Sequence, residues 1–331
     1  MAPTPDRTAR TWLKALRIGF LPVGAAIFAA MPVPILAGLD IRLAWPVVLA
    51  IFFGVGSHLL WWAYGTILND YHDREMDRHH PFGDKVFTQG LFSDSEQRRM
   101  FWGFGLAAAV LEIPQAAFIL AFGPGGAVDA AAFVLVILAG YVMATAYSAP
   151  PARTRSRFLG ATYTLMLVFV IAFLRFCLLL GGLGFLVSNW AYVAGLCLFI
   201  YLSHGITSVS LKDIPDAFSD AKGGVRSVPL VCGFRPALRV SMLFLGLTMG
   251  AGAAMVWAGW VEWWFLVSYA GVVVYIYLYR DMSRWIGLIE RDPGQWYRVP
   301  MRKTYHVLGY IVNWGVWIPL LMLSFHGGLL A

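Results

Sequence analysis

Residues 46–77 read PVVLAIFFGVGSHLLWWAYGTILNDYHDREMD, an apolar run over 46–68 that passes without a break into Asn69, Asp70, Asp73, Glu75 and Asp77. Crossing the hydrocarbon core of a bilayer takes ~20 mostly apolar residues, so this stretch reads as a membrane helix that ends in carboxylates. Eight further stretches of that kind lie at 16–39, 98–122, 129–149, 158–183, 187–210, 235–259, 262–281 and 304–328. The chain is 59% hydrophobic and 13% charged, with mean hydropathy +0.68. That is too apolar for a soluble domain. The expected fold is all-α, a multi-pass transmembrane bundle of about nine helices with cytoplasmic Asp-rich loops. No linker or change of composition divides the chain, so residues 1–331 read as a single domain. Arg7, Arg10, Lys14 and Arg17 precede a full-length apolar run without a small-residue cleavage site, and the first helix is expected to stay.

The basic residues test this parsing independently, because Lys and Arg collect in short cytoplasmic loops. Four precede the first span, and five follow the second (Arg74, Arg78, Lys85, Arg98, Arg99). Three follow the fourth (Arg153, Arg155, Arg157), five the sixth (Lys212, Lys222, Arg226, Arg235, Arg239) and six the eighth. Of 25 basic residues, only Arg42 in an opposite loop and Arg175 within a span fall elsewhere. The N-terminus and the acidic loops are therefore expected on the cytoplasmic side and the C-terminus outside, in a bacterial plasma membrane. The net charge of +7 is explained by topology and anionic lipid, without nucleic acid. Cys177, Cys197 and Cys232 lack ligand spacing and an odd number cannot all pair. The sequence does not fix an oligomeric state.

Two acidic clusters carry the chemistry. In the first, Asn69, Asp73 and Asp77 step by four along one helical face, with Asp70 at its edge. In the second, Asp213, Asp216 and Asp220 share a face if the segment is helical, although Pro215 can kink it or start a new turn. Stacked carboxylates repel unless something positive sits among them. Hard oxygen donors favour Mg²⁺ or Ca²⁺, and Mg²⁺ is commonly held by one or two carboxylates with substrate phosphates. Seven of the 18 acidic residues lie in these two clusters, each beginning where an apolar span stops, near the depth at which charge becomes costly. Each cluster also leads into a glycine-containing loop, a weak internal echo.

These motifs resemble the UbiA superfamily of membrane prenyltransferases. Asn69, Asp70, Asp73 and Asp77 look like its NDxxDxxxD signature, and Lys212 to Pro229 resembles its second motif. The KDIPD wording there is similar to homogentisate- and chlorophyll-synthase-type members. Between them, Tyr147-Ser148-Ala149-Pro150-Pro151-Ala152-Arg153-Thr154-Arg155 looks like the family's YSxPPxRxK loop, with Arg155 where lysine is common. Lys85 to Gly90 departs from the family's RPL-type stretch, with a point charge where arginine supplies a fork.

The resemblance implies Mg²⁺-dependent transfer of an allylic prenyl group from a prenyl diphosphate to an aromatic or related lipophilic acceptor, as in quinone biosynthesis. Asn69, Asp73, Asp213 and Asp220 are the first metal-ligand candidates and Asp70, Asp77 and Asp216 the second, with Asp73, Asp213 and Asp220 central to catalysis. Arg74, Arg78, Lys85, Arg153, Arg155, Lys212, Lys222 and Arg226 are candidates for diphosphate contact, and Tyr147 and Ser148 for hydrogen bonds to substrate. Trp61, Trp62, Tyr64, Tyr163, Phe169 and Phe173 are candidates to line an apolar chamber, since aromatic faces stabilise cations. Glu112 and Arg175 read as an intramembrane functional pair or a buried ion pair, and His58 and His204 as hydrogen-bonded polar groups of the bundle. A terpene cyclase built on the same machinery remains a rival. A transporter, whose polar groups would lie mid-membrane in broken helices, fits the charge placement less well.

Overall fold

The computed structural model describes residues 11–12, 15, 21–79, 86–292 and 308–325. Its elements are α1 (Leu21–Ala30), α2 (Val33–Gly38), α3 (Trp45–Asp77), α4 (Asp94–Phe122), α5 (Ala127–Ser148), α6 (Gly160–Ser188), α7 (Trp190–Ile206), α8 (Asp213–Lys222), α9 (Val228–Cys232), α10 (Phe234–Trp257), α11 (Val272–Arg291) and α12 (Ile318–Leu323). π-Helical turns at Thr207–Lys212 and Ile311–Trp317 lead into α8 and α12, and a 3₁₀ segment, Trp263–Gly271, leads into α11.

Six helical segments are long and apolar enough to cross a membrane: Trp45–Asp77, Asp94–Phe122, Ala127–Ser148, Gly160–Ser188, Trp190–Lys222 and Phe234–Trp257. Val23–Gly38 and Leu308–Leu323 are shorter apolar helices. Helices suit this role because every backbone polar group is satisfied within the segment, where no water is available to do it. The outer faces carry Leu106 at 67%, Ile113 at 66% and Val142 at 66% exposure. A surface this apolar needs lipid around it.

Local sequence accounts for several boundaries. α4 opens on a capping box, in which the Ser93 side chain accepts from the Glu96 backbone and Glu96 from the Ser93 backbone. Pro32 and Pro34 flank the start of α2, where missing N–H groups leave no gap in a ladder, so the first apolar stretch is broken into α1 and α2. Within α6, Gly182 takes a left-handed φ of +67°. The buried Asp129 there accepts from the backbone N–H groups of Gly125 (2.8 Å) and Leu183 (2.9 Å). A Cβ at Gly182 would lie 2.2 Å from Asp129 Oδ2. Gly182→Ala is expected to cost at least about 1–3 kcal/mol, the usual strain of a non-glycine residue in that region, read as a lower thermal midpoint of detergent-solubilised protein.

The expected eighth span, 262–281, is α-helical only over its second half. Its first half is the 3₁₀ segment, and the α-helix runs on to Arg291, burying Tyr275, Leu278, Tyr279, Met282, Trp285, Ile286 and Ile289 at helical spacing.

Candidate active site

The acidic end of α3, the α5–α6 loop and α8 meet at one end of the bundle. α3 continues helical to Asp77, so Asn69, Asp73 and Asp77 do share a face. α8 begins at Asp213 immediately after the π-helical turn, and Pro215 falls in its first turn, where its missing N–H is tolerated. The helical segment Trp190–Lys222 runs through Pro215 without a break, the π-helical turn lying just before it. Gly223 brings the two acidic segments close, since a Cβ there would lie 2.5 Å from Met76 Sδ.

The α5–α6 loop is folded tightly against both. A Cβ on Gly160 would lie 2.1 Å from the Thr154 carbonyl oxygen, so only glycine lets the loop lie back on the start of α6. Arg153, at φ +32°, turns the chain in a left-handed conformation. The backbone N–H of Arg226 donates to the Ser156 carbonyl at 3.1 Å, tying this loop to the segment after α8.

The central contact is Arg155, which is 5% exposed. Its guanidinium pairs with Asp73 and donates to Asn69 Oδ1 (3.2 Å) and Asp220 Oδ1 (3.2 Å). Arg153 adds a bond from Nη2 to Asp73 Oδ1 at 3.3 Å, and Ser148 Oγ donates to Asn69 Oδ1 at 3.2 Å. One planar cation thus bridges the first and second acidic motifs, and the fork geometry of arginine permits it. Asp73 is wholly buried, and two buried carboxylates facing each other would be costly without a positive partner. On the neighbouring turn, Lys212 Nζ pairs with Asp213 at 3.3 Å.

The other candidates divide into two groups. Asp70, Asp77 and Tyr147 are buried at this end and Asp216 is half-buried. Arg74 is engaged with Asp94 (Nη2 to Oδ2 3.3 Å) and Arg78 with Glu75 (2.7 Å), both at the surface. Lys222 and Arg226 are exposed, the former with its ammonium 6.0 Å from the Phe218 ring centroid. Lys85 lies outside the described residues.

Among the described residues, no three His, Cys, Asp or Glu side chains are gathered closely enough to hold a metal by themselves. What is gathered is a set of hard oxygen donors around one positive centre, at Asn69, Asp73 and Asp220. That donor set suits a cation such as Mg²⁺, which completes its shell with phosphate and water oxygens.

Further into the membrane, Glu112 and Arg175 form a buried ion pair. Arg175 Nη2 also donates to Gln115 Oε1 at 2.9 Å and bonds Ser57 Oγ. Of the aromatic candidates, Trp61, Tyr64, Phe169 and Phe173 are buried, whereas Tyr163 is 53% exposed. His58 bonds the Gly54 carbonyl at 2.9 Å, as expected. His204 departs from expectation, for neither ring nitrogen has a hydrogen-bond partner. Trp314 and Tyr310, which pack around it, went unread in the sequence, although two aromatic residues four apart in an apolar run mark one helix face.

Fold and site define an integral membrane enzyme whose charged machinery is collected at one end of a helical bundle. The chain belongs to the UbiA prenyltransferase family, whose model matches residues 19–286. It is 30% identical over 223 residues, 67% of this chain and 71% of the relative, to digeranylgeranylglyceryl phosphate synthase of Halobacterium salinarum in two strains. Among solved structures it is similar to a digeranylgeranylglyceryl phosphate synthase (TM-score 0.55, 16% identity, 95% of this chain and 97% of that one). It is also similar to a UbiA homolog from Archaeoglobus fulgidus bound to GPP and Mg²⁺ (TM-score 0.53, 19% identity, 93% and 99%). These structural likenesses carry the fold. The curated relatives differ from the homogentisate and chlorophyll-synthase types suggested by the KDIPD wording.

Proposed function

We propose that this prenyltransferase is Mg²⁺-dependent and moves an allylic prenyl group from a prenyl diphosphate to a lipophilic acceptor at the cytoplasmic face of the membrane. The observation that carries this reading is Arg155, whose single guanidinium spans Asn69, Asp73 and Asp220. Sites that hold one positive centre between oxygen donors of two helices suit a metal–diphosphate pair, and the A. fulgidus homolog binds GPP and Mg²⁺. Asn69, Asp73, Asp213 and Asp220 would hold the metal. Bound Mg²⁺ would supply positive charge to the diphosphate oxygens on which negative charge grows as the carbon–oxygen bond ionises.

The chain's own groups do the rest. Arg153, Arg155 and Lys212 place preorganised positive charge beside the leaving group, where low dielectric strengthens it. The burial of Asp73, Asp213, Asp220 and Tyr147 at this end would help to hold the reacting carbon away from water. The rings of Trp62, Phe169 and Trp314 meet edge-on or tilted at 4.3–5.9 Å between centroids and offer π faces to the developing cation.

The halobacterial relatives favour an acceptor with a hydroxyl nucleophile, such as a prenylated glycerol phosphate, while the motif wording favours an aromatic ring. The test uses purified protein with Mg²⁺ and geranylgeranyl diphosphate, offered geranylgeranylglyceryl phosphate, homogentisate or no acceptor. The expected result is a prenylated product with one of the two acceptors. Release of cyclic hydrocarbon without acceptor would favour a cyclase instead.

A further inference from the structure

His204 lies at the end of α7, 1% exposed, with neither ring nitrogen hydrogen-bonded. An unsatisfied buried polar group costs about 1–3 kcal/mol, and each one in a native structure calls for an explanation. The equally buried His58 has its partner in Gly54. His204 is instead walled by rings. It stacks on Trp314 (centroids 5.1 Å, interplanar angle 18°) and tilts against Phe169 (5.0 Å) and Tyr310 (6.2 Å).

A π-helical turn begins just past it at Thr207, and Asn313 of the other π-helical turn donates from Nδ2 to the Ser203 carbonyl of α7 at 2.5 Å. Such turns recur at functional sites. Toward the acidic end, His204, Ser208 and Lys212 step by four, and the buried Ser208 hydroxyl is also without a partner. Lys212 is near enough to act electrostatically on His204, and Tyr147 is near enough to act on Lys212, Asp213, Asp220 and Tyr310. A polar stripe therefore runs from the proposed diphosphate site to an imidazole with a free lone pair.

We propose that His204 is the proton acceptor of the transfer step, an inference that rests on the prenyltransferase reading. The nucleophilic oxygen or ring carbon of the acceptor bonds to the allylic C1. The C1–O bond to diphosphate breaks, its electron pair leaving with the diphosphate. The proton displaced from the acceptor passes to the unprotonated nitrogen of His204. The surrounding π faces of Phe169, Trp314 and Tyr310 offset part of the cost that burial and the nearby Lys212 charge place on the imidazolium formed.

The test compares wild type with His204→Phe, which keeps a ring in the cage, and His204→Gln, which keeps hydrogen-bonding capacity. Transfer from geranylgeranyl diphosphate to geranylgeranylglyceryl phosphate or homogentisate gives kcat and KM, and titration with Mn²⁺ and inorganic pyrophosphate reports the charged site separately. Loss of a general base costs 10²–10⁴-fold, so kcat is expected to fall about 100-fold or more in both variants. KM for the diphosphate and Mn²⁺–pyrophosphate binding should stay within about twofold. Transfer by His204→Phe within about threefold of wild type would overturn the proposal, as would a parallel loss of Mn²⁺–pyrophosphate binding, which marks a structural role. Wild-type protein that cleaves geranylgeranyl diphosphate yet transfers to neither acceptor would overturn the prenyltransferase reading, and the proposal with it.

Discussion

Asp73→Ala and Asp220→Ala are each expected to lower Mg²⁺-dependent turnover on the order of 1000-fold while leaving folded protein. Asp73 and Asp220 lie on different helices and converge on one guanidinium, so neither can replace the other in holding positive charge. Metal and charge stabilisation of a leaving group supplies several kcal/mol, and about 4 kcal/mol corresponds to 1000-fold in rate. Glu290→Ala is the control. Its bond to Arg235, 2.7 Å long, sits on the surface with both side chains about half exposed. Exposed pairs contribute little, and turnover should stay within about twofold. Steady-state rates of purified variants, with thermal midpoints to show folding, decide the matter. Most activity retained in either aspartate variant would sink the metal assignment.

The largest stability effect is expected mid-membrane. Glu112→Ala removes the carboxylate from Arg175, which is 5% exposed and is left with uncharged partners, Ser57, Gln115 and the face of Phe133. Breaking a buried pair by deleting one member costs about 3–5 kcal/mol, because the surviving charge stays buried. The double variant Glu112→Met with Arg175→Met should recover most of that loss, since no charge is then left in the bilayer. Unfolding of detergent-solubilised protein measures both. A single variant as stable as wild type would show that Arg175 reaches water or lipid headgroups.

Much of this fold is legible in the chain, because an apolar run long enough to cross a bilayer has few alternatives to a helix. The eighth stretch escaped that logic. α11 owes its length to helical periodicity, with Met282, Trp285, Ile286 and Ile289 buried beyond the end of the apolar run, and a count of apolar residues cannot see a face. At the site, the i, i+4 spacing of Asn69, Asp73 and Asp77 marks one surface from sequence alone. Pairing is another matter. Arg155 meets Asn69 and Asp220 across 86 and 65 residues of chain, and no local pattern encodes which of many basic residues makes that contact. Arg74 and Arg78 looked equivalent to it, yet Asp94 and Glu75 hold them at the surface. His204 was misread for a related reason. Buried histidines are usually satisfied by a nearby carbonyl, as His58 is, and only the packing of Phe169 and Trp314 reveals that this one is not.

The central claim is that the two acidic motifs and Arg155 form one site for a divalent cation with diphosphate. Electron paramagnetic resonance titration of the purified protein with Mn²⁺, in the presence and absence of inorganic pyrophosphate, tests it most directly. Mn²⁺ binding should be markedly strengthened by pyrophosphate in the wild type, and that strengthening should disappear in both Asp73→Asn and Asp220→Asn. Mn²⁺ binding indifferent to pyrophosphate, or unchanged in either variant, would contradict the account.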